Sequence, residues 1–303
     1  MSSKQEPLTL KHAVAYNTRL AGKLTSQGVP CAALTAYPSL SCAPNTIEFA
    51  QTVMAIQKTA GLLADGKLGP QTWRSLLTIF DPVEEGENYI VWGGRRVKLG
   101  ASDAPYRMIN FDQRGGYSLH EAGHFSAHAL GTPNKVILHW GGLDPAHLHA
   151  VMSVPDRKVS THFGIGLHED EAVVMQYIDL NHKTWHAGKF NSNAVGVDIC
   201  QQPVYKWSGH YRERGYDVKK IKNPSSRGNV NILSLEPRIA AASRAFVDDL
   251  MIALELKKSA PDHDGVVEDA GQYTLLGHHH VSPRKWDVAC WWPQITGLSA
   301  ASR

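Results

Sequence analysis

The stretch Thr274-Leu-Leu-Gly-His-His-His-Val-Ser-Pro-Arg-Lys-Trp-Asp287 begins as an apolar segment and ends as a polar one. Together with Tyr273, its first residues predict a short buried strand that ends at Leu276. The polar part predicts a loop that offers an imidazole at His278 and a carboxylate at Asp287. A loop of this length closes at a small entropic cost, so the two side chains can lie side by side.

Imidazole and carboxylate together make up part of a zinc site. A catalytic zinc ion takes three protein ligands and leaves a fourth position for water, so a third ligand should end another strand. The apolar run Lys135-Val-Ile-Leu-His-Trp-Gly-Gly142 offers His139 for this role. The same spacing also fits a histidine-rich surface loop and an unrelated core histidine, because short metal motifs match by chance.

The composition limits the classes of function. A chain of 303 residues with 43% hydrophobic content can form one large domain or two smaller ones. Its net charge of +3 is too small to indicate nucleic acid as a partner. No apolar run reaches the roughly 18 residues of a membrane span, so we expect no membrane span. Residues 1–7 are polar with no apolar segment behind them, so we expect no signal peptide and synthesis in the cytoplasm. The sequence indicates no oligomeric state.

The cysteines show no paired metal-binding or redox spacing. In a reducing compartment we expect each of them to be a free, buried thiol. Only Cys31 and Cys42 are close enough in sequence to suggest a local disulfide, and the other two are Cys200 and Cys290.

Residues 8–80 predict a small all-α domain of three helices. Apolar residues recur at helical spacing over Lys11–Leu24 and over Ile47–Gln57. Asp65-Gly66 predicts a tight turn, and Gly69-Pro70 opens a third helix with proline in its first turn.

Residues 81–130 predict a linker and a hairpin. Asp81–Asn88 is acidic and contains proline and glycine, which is typical of a linker. Tyr89–Trp92 and Arg95–Leu99 then predict two strands that meet across Gly93-Gly94.

The segment Ser118-Leu-His-Glu-Ala-Gly-His124 contains the metallopeptidase pattern His-Glu-x-x-His. On a helix, His120 and His124 would share a face and bind zinc, with Glu121 as the general base. His128 would extend the same row. Nearby glycines disfavour that helix, so the simpler interpretation is a solvated, partly helical segment.

Residues 131–298 predict an α/β domain with a central mixed β-sheet flanked by helices, because strand and helix patterns alternate there. Asp144 and Pro145 predict the start of one helix. A long helix is predicted from Ser234, with Pro237 in its first turn. The predicted strands are Lys135–Trp140, His162–Leu167, Ala172–Ile178, Ala194–Cys200 and Tyr273–Leu276.

The N-terminal segment resembles the three-helix peptidoglycan-binding domain of cell-wall hydrolases. The resemblance implies binding of a glycan strand or stem peptide, whereas the alternative is a helical cap that only packs on the other domain. The matching residues are Ile56-Gln57, Gly61-Leu62, Asp65-Gly66, Gly69-Pro70 and Thr72-Trp73.

The C-terminal segment, from Lys135 to Pro293, resembles the zinc-dependent N-acetylmuramoyl-L-alanine amidases. That family also includes phage zinc-amidase lysozymes and peptidoglycan recognition proteins. Four motifs in the same order carry the resemblance: Val136–Gly142, Val159–Phe163, Thr184–Gly188 with Asn193–Asp198, and Gly277–Asp287.

The resemblance implies a role for each matching position. The Zn²⁺ ligands would be His139, His278 and Asp287, with Cys290 as a rival to the third. Asp198 would be the catalytic base and Lys285 the cation that steadies the oxyanion. The positions expected to bind substrate are Trp140, Thr161, His186 and Asn193.

The implied function is hydrolysis of bacterial peptidoglycan between N-acetylmuramic acid and L-alanine. Without a signal peptide, we expect a phage lytic protein that is released to the wall or carried in a virion, although bacterial recycling amidases are also cytosolic. The family often has Glu where Asp198 stands, and lytic members often have Tyr where Thr161 stands. These departures leave open a non-catalytic peptidoglycan-binding protein or a structural virion protein with an amidase fold. The predicted insertion at 203–230 is basic and aromatic, and it could contact glycan or an anionic wall polymer, or be a solvated loop.

Overall fold

The computed structural model describes residues 10–19, 45–59, 63–68, 72, 87–100, 103–113, 115–119, 126–129, 132–154 and 156–298. The chain divides into two units, residues 1–85 with 91–96 and residues 86–90 with 97–303. Cys31 and Cys42 lie outside the described residues, as do His120, Glu121 and His124 of the alternative zinc motif.

In the first unit, residues 10–19 are helical and a second helix, α1, spans Ile47–Thr59. The side chain of Gln57 accepts a hydrogen bond from Gly66 N–H (2.8 Å) and donates one to Asp65 (2.9 Å). Asn17 donates to the carbonyl of Gly66 (2.9 Å). Gly66 has a φ of 73°, the left-handed region that favours glycine, which confirms the predicted turn. The predicted third helix lies outside the described residues except for Thr72.

The predicted hairpin is present. Strand β1 (Tyr89–Trp92) and strand β2 (Arg95–Lys98) form a two-stranded sheet. The two residues between them, Gly93 and Gly94, have φ values of 63° and 74°. A two-residue hairpin turn of type I′ requires positive φ at both central residues, which glycine adopts readily. The Gly-Gly pair therefore predicted the turn correctly.

The second unit contains the remaining strands and helices. Its strands are β3 (Arg107–Asn110), β4 (Ser126–Ala129), β5 (Lys135–Trp140), β6 (Phe163–His168), β7 (Glu171–Gln176), β8 (His182–Lys183), β9 (Ala194–Ile199), β10 (Lys220–Lys222), β11 (Asn231–Leu233) and β12 (Leu275–Gly277). Its α-helices are α2 (Pro145–Met152), α3 (Ser208–Arg212), α4 (Pro237–Ala253), α5 (His278–Val281) and α6 (Trp292–Thr296). Short 3-10 helices cover Gly188–Ser192, Tyr205–Trp207, Ala270–Gln272 and Asp287–Trp291.

Six strands form the central sheet, in the order β12-β5-β9-β6-β7-β3. The pairs β12–β5, β5–β9, β9–β6 and β7–β3 are parallel, whereas β6 and β7 are antiparallel. The sheet is therefore mixed, which confirms the predicted α/β architecture. Sequence reasoning missed β3, which lies in the segment predicted as linker and hairpin and has only two apolar residues, Met108 and Ile109.

The alternation of side chains along β6 places one helix on each face of the sheet. Phe163 faces α4, where its ring packs against Phe246 with ring centroids 4.9 Å apart. The glycines on the opposite face make room for α2, because a Cβ at Gly166 would collide with Pro145. The predicted cap of α2 is confirmed, since Asp144 accepts a hydrogen bond from His147 N–H (2.7 Å).

Two predicted features were wrong in detail. Helix α4 begins at Pro237, not at Ser234, because Ser234 is held outside the helix by Lys219 N–H (2.9 Å) and by Gln201 (2.8 Å). The basic insertion is not a loop. It contains α3 and strand β10, which pairs antiparallel with β11 directly after the insertion. Among the described residues, every helix is too short or too polar to cross a membrane.

The packing between α4 and the sheet predicts a large effect of Phe246→Ala. The side chain of Phe246 is fully buried between Phe163 and Tyr106. We expect its truncation to lower the free energy of unfolding by about 3–5 kcal/mol, measured by urea denaturation. Ile252→Ala is the matched control on the same helix, because that side chain is 75% exposed and should change stability by less than about 0.5 kcal/mol. Equal effects of the two substitutions would contradict this packing.

Candidate metal centre

The register of two parallel strands brings the predicted ligands together. Leu138 of β5 pairs with Gly277 of β12. The residues that follow this pair, His139 and His278, therefore lie side by side. Parallel strands present their carboxyl ends at one edge, which is where ligand sites form in α/β sheets. The chain then turns through α5 and returns at Asp287, the first residue of a 3-10 helix. The predicted loop after β12 is thus partly helical.

The three predicted ligands form one cluster. His139 Nδ1 lies 3.0 Å from His278 Nδ1. An oxygen of Asp287 lies 3.1 Å from His278 Nδ1 and 3.4 Å from His139 Nδ1. One ligand atom from each residue lies within 4.8 Å of the others. Two imidazole nitrogens and one carboxylate oxygen that converge on a point fit the ligand set of a catalytic zinc ion.

The charges in the cluster also suit a metal ion. Burial raises the pKa of Asp287, but hydrogen bonds from His139 and His278 outweigh it and hold that pKa well below the usual value. Burial lowers the pKa of His278. Ionised carboxylate and neutral imidazole are the forms that bind a metal, so the directions of the shifts at Asp287 and His278 both favour metal binding.

His186 lies behind the cluster. Its Nδ1 is 2.9 Å from Nε2 of His139, and its Nε2 is 3.3 Å from the carbonyl oxygen of Ala194. If His139 ligates through Nδ1, its Nε2–H donates to His186 and the Nε2–H of His186 donates to Ala194. A metal-binding histidine usually donates its other ring nitrogen in this way, which fixes its tautomer and orientation. Sequence reasoning placed His186 in the substrate groove and missed this contact, because residues 47 positions apart in sequence carry no local signal.

Asp198, the predicted base, lies on the strand next to the ligands. It pairs with His139 in the parallel register of β5 and β9. A Cβ at Gly141 would collide with its Oδ1, so the carboxylate rests against backbone where only glycine fits. Burial raises the pKa of Asp198, and the charges of His139 and Lys285 and the hydroxyl of Thr161 partly oppose the rise. Thr161 is itself buried, and its hydroxyl also lies close to Gly196.

A cavity of about 390 Å³ opens beside the cluster. Lys285 and Asp287 line it, which places the predicted oxyanion cation next to a ligand. Trp140 forms part of the wall, and its ring lies 5.3 Å from that of Trp286. The two other lining residues are Gln202 and Arg284, which sequence reasoning did not single out.

The position of Asn193 is set by strand β9. It precedes β9, whereas Asp198 lies near the other end of that strand, about 16 Å away at ~3.3 Å per residue. Its backbone carbonyl accepts a hydrogen bond from Asn134 N–H (3.0 Å). Its predicted contact with substrate remains a prediction.

The alternative ligands do not join the cluster of described residues. The thiol of Cys290 points at the carbonyl of Asp287 (3.9 Å), and burial raises its pKa. Cys290 and Cys200 are free and buried, as predicted. The rings of His279 and His280 lie 3.8 Å apart and pack on Trp292 instead.

The region of the alternative peptidase motif is only partly described. His128 lies on β4, so residues 126–129 form a strand and do not extend a histidine row on a helix. His120, Glu121 and His124 lie outside the described residues.

Comparison with known families favours the amidase interpretation over the peptidase interpretation. A family model described as N-acetylmuramoyl-L-alanine amidase matches residues 129–289, which is more than half of the chain. The chain belongs to the N-acetylmuramoyl-L-alanine amidase family. The match confirms the resemblance inferred from the motifs, and it spans the three residues predicted as ligands.

The solved structures to which this chain is similar are distant in sequence. The catalytic domain of XlyA is 15% identical, with 62% of this chain and 96% of that chain covered and a TM-score of 0.39. An endolysin from Bacillus subtilis is 16% identical, with 59% and 88% covered and a TM-score of 0.35. The endolysin amidase LysCS from Clostridium intestinale is 13% identical, with 58% and 83% covered and a TM-score of 0.30. No curated protein sequence matches significantly.

The buried His162 of the amidase domain predicts a pH dependence of stability. Its Nδ1 accepts a hydrogen bond from Gly196 N–H (3.0 Å), and its Nε2–H donates to the carbonyl of His182 (2.8 Å). Burial lowers its pKa from the usual 6.5 to about 4. Between these pH values the unfolded chain binds the extra proton, so the free energy of unfolding falls as the pH falls.

His162→Gln isolates this contribution, because glutamine does not titrate. We expect the unfolding free energy of the parent to fall by about 3 kcal/mol more than that of the variant between pH 7 and pH 4. Urea denaturation at each pH measures both curves. Parallel curves would contradict the assignment of a neutral, buried His162.

Proposed function

We propose that the protein hydrolyses the amide bond between the lactyl group of N-acetylmuramic acid and L-alanine in bacterial peptidoglycan, with Zn²⁺ as its cofactor. The observation that carries the proposal is the cluster of His139, His278 and Asp287, with Asp198 in register beside it, inside a domain of the amidase family. The three ligands hold the ion, and the adjacent cavity gives a substrate room to approach.

A bound zinc ion would polarise the scissile carbonyl and lower the pKa of a water molecule to about 7. Asp198 accepts the proton of the attacking water and passes it to the leaving amine. Its raised pKa, caused by burial, brings it closer to the range in which a carboxylate can both take and release a proton. Lys285, at the wall of the cavity, carries the positive charge that steadies the developing oxyanion.

The residues around the cavity orient the substrate. Trp140 and Trp286 give it an apolar wall of two rings. Thr161 and His186 lie next to Gly196, where any side chain larger than hydrogen would collide with them, and we assign them contacts with the substrate from that position. We assign Asn193 a contact with a part of the substrate farther from Asp198, consistent with its position before β9.

The proposed protein has two domains. Residues 8–80 form a domain that binds peptidoglycan, and residues 131–298 form the amidase domain that cleaves it. Residues 81–130 link the two domains. The insertion at 203–230 adds lysines beside aromatic rings, as with Lys220 over Tyr205 (5.1 Å) and Lys206 over Trp207 (5.3 Å). Such pairs suit a glycan with anionic groups. The biological role that fits is a phage lytic protein, made in the cytoplasm and acting on the wall after release or from a virion.

The proposal is tested by the release of stem peptides from purified peptidoglycan, with product masses read by mass spectrometry. We expect new L-alanine amino termini from the parent protein and none after chelation. Asp287→Ala should abolish both zinc binding and release, because it removes a ligand. Asp198→Asn should keep the zinc but lose about 10²–10⁴-fold in rate, because it removes only the base.

Asp156→Asn is the control, since that carboxylate is exposed in the segment after α2. It should release stem peptides at the parent rate. Intact wall that co-sediments with the zinc-loaded parent would reject the enzyme and favour a non-catalytic binding protein. Release that survives Asp287→Ala but requires His120 would instead favour the peptidase motif.

A further inference from the structure

Residues 223–229, which we call the tip of the basic insertion, contact the segment that joins two of the proposed zinc ligands, His278 and Asp287. We call residues 279–286 the ligand segment, because it joins His278 to Asp287. Residues 282–286 are half-buried or exposed. Within the ligand segment, Lys285 N–H donates to the carbonyl of Ser282 (3.2 Å). A short surface segment of this kind depends on outside contacts for a single conformation.

Arg227, at the tip, supplies such contacts. Its Nη1 donates to the carbonyl of His279 (2.7 Å), and its Nη2 donates to the carbonyl of Pro283 (2.6 Å). Longer contacts reach the carbonyls of Ser282 (3.4 Å) and Asp264 (3.5 Å). The two arms of one guanidinium therefore hold both ends of the first half of the ligand segment. A planar fork can do this with little loss of freedom per hydrogen bond.

The next residue holds the second half. Gly228 has a φ of 84°, and a Cβ there would collide with the ring of Trp286. The backbone of the tip therefore lies flat against Trp286, which stands between Lys285 and Asp287 in the chain. Trp286 also contacts Trp140 at the wall of the cavity. The tip thus contacts the ligand segment at two points.

The tip is itself held in place. Asn223 donates to the carbonyls of Arg227 (2.7 Å) and Asn229 (2.9 Å). Asp264 accepts hydrogen bonds from the hydroxyl of Ser225 (2.7 Å) and from the backbone N–H of Ser226 (2.7 Å). These contacts lower the pKa of Asp264 despite its burial, so its carboxylate stays ionised and accepts the hydrogen bonds that hold the turn. Arg227 is therefore presented by a fixed turn.

Strand β11, which directly follows the insertion and pairs with β10, is anchored to the same region. Ile232 and Leu233 of β11 are fully buried. The indole N–H of Trp291 donates to the carbonyl of Leu233 (3.1 Å), which ties the ribbon to the 3-10 helix that begins at Asp287. The insertion contacts the ligand segment before Asp287, and β11 contacts the 3-10 helix after Asp287.

We propose that Arg227 and Gly228 are positioning residues, which hold the ligand segment so that Asp287 and Lys285 face the metal centre. The inference rests on the proposed zinc site and gives the basic insertion a role beyond contact with the wall. Arg227 acts through the segment it holds, and it touches neither metal nor substrate. Groups that orient metal ligands typically change metal affinity by 10–100-fold when they are removed.

The test uses the full chain and two measurements that need no substrate. Zinc affinity is measured by competition with a chromophoric chelator, and amide hydrogen exchange is measured on the metal-free protein. Arg227→Ala should weaken zinc binding by about 10–100-fold. It should also accelerate exchange at residues 282–287 and leave the strands β5 and β9 unchanged. Arg227→Lys should show most of the same loss, because one ammonium group cannot hold both ends.

Arg214→Ala is the matched control. Its guanidinium belongs to the same insertion, and within the described part of the chain its hydrogen bonds go to His210, through the ring Nδ1 (2.9 Å) and the carbonyl (3.2 Å). It should keep the parent zinc affinity and the parent exchange. Equal zinc affinity and exchange for Arg227→Ala and Arg214→Ala would overturn the proposal. Parent behaviour of Arg227→Lys would also overturn it, since charge alone would then suffice.

If Arg227→Ala does not fold, Arg227→Lys and Gly228→Ala decide the question by the same two measurements. Gly228→Ala should also weaken zinc binding, because the added methyl group displaces Trp286. Unchanged zinc affinity and exchange in both would overturn the proposal. A parent that binds zinc without cutting peptidoglycan would reject the proposed function alone, because neither measurement involves substrate. If the parent binds no zinc, the hydrogen-exchange rates of residues 282–287 in Arg227→Ala and Arg214→Ala decide whether Arg227 holds the ligand segment.

Discussion

The parallel pairing of β12, β5 and β9 is the constraint on which the site depends. Its hydrogen-bond register sets Gly277 beside Leu138 and His139 beside Asp198. A shift of one residue in either pair would turn the side chains to opposite faces of the sheet. The buried apolar residues of these strands therefore do two things. They form the core, and they fix which polar side chains leave the sheet together.

Buried polar groups keep that alignment. His162 links the backbone of β9 to the segment at His182, and His186 links His139 to the start of β9. Each imidazole is neutral because burial lowers its pKa, so each can both donate and accept a hydrogen bond. A chain of such contacts gives the ligand one tautomer and one orientation, which apolar packing alone does not provide.

Glycine has a specific role at this edge of the sheet. Gly141 leaves space for the carboxylate of Asp198, and Gly196 leaves space for Thr161 and His186. On the other side of the centre, Gly228 lets the backbone of the insertion reach Trp286. The site is therefore built where the backbone itself can approach, and side chains from distant segments fill the space.

The sequence by itself determined the mixed α/β class, the hairpin turn at Gly93-Gly94, the cap at Asp144 and the identity of the clustered residues His139, His278 and Asp287. Periodicity, turn chemistry and motif spacing are local, so they can be read from neighbouring residues. Only the tertiary structure decided that α4 begins at Pro237, that β3 completes the sheet, that β10 of the insertion pairs with β11, and that His186 contacts His139. It also brought Arg227 to the carbonyls of the ligand segment. Each of these depends on hydrogen bonds between segments far apart in the chain, and such partners leave no periodic signal in the sequence of either segment.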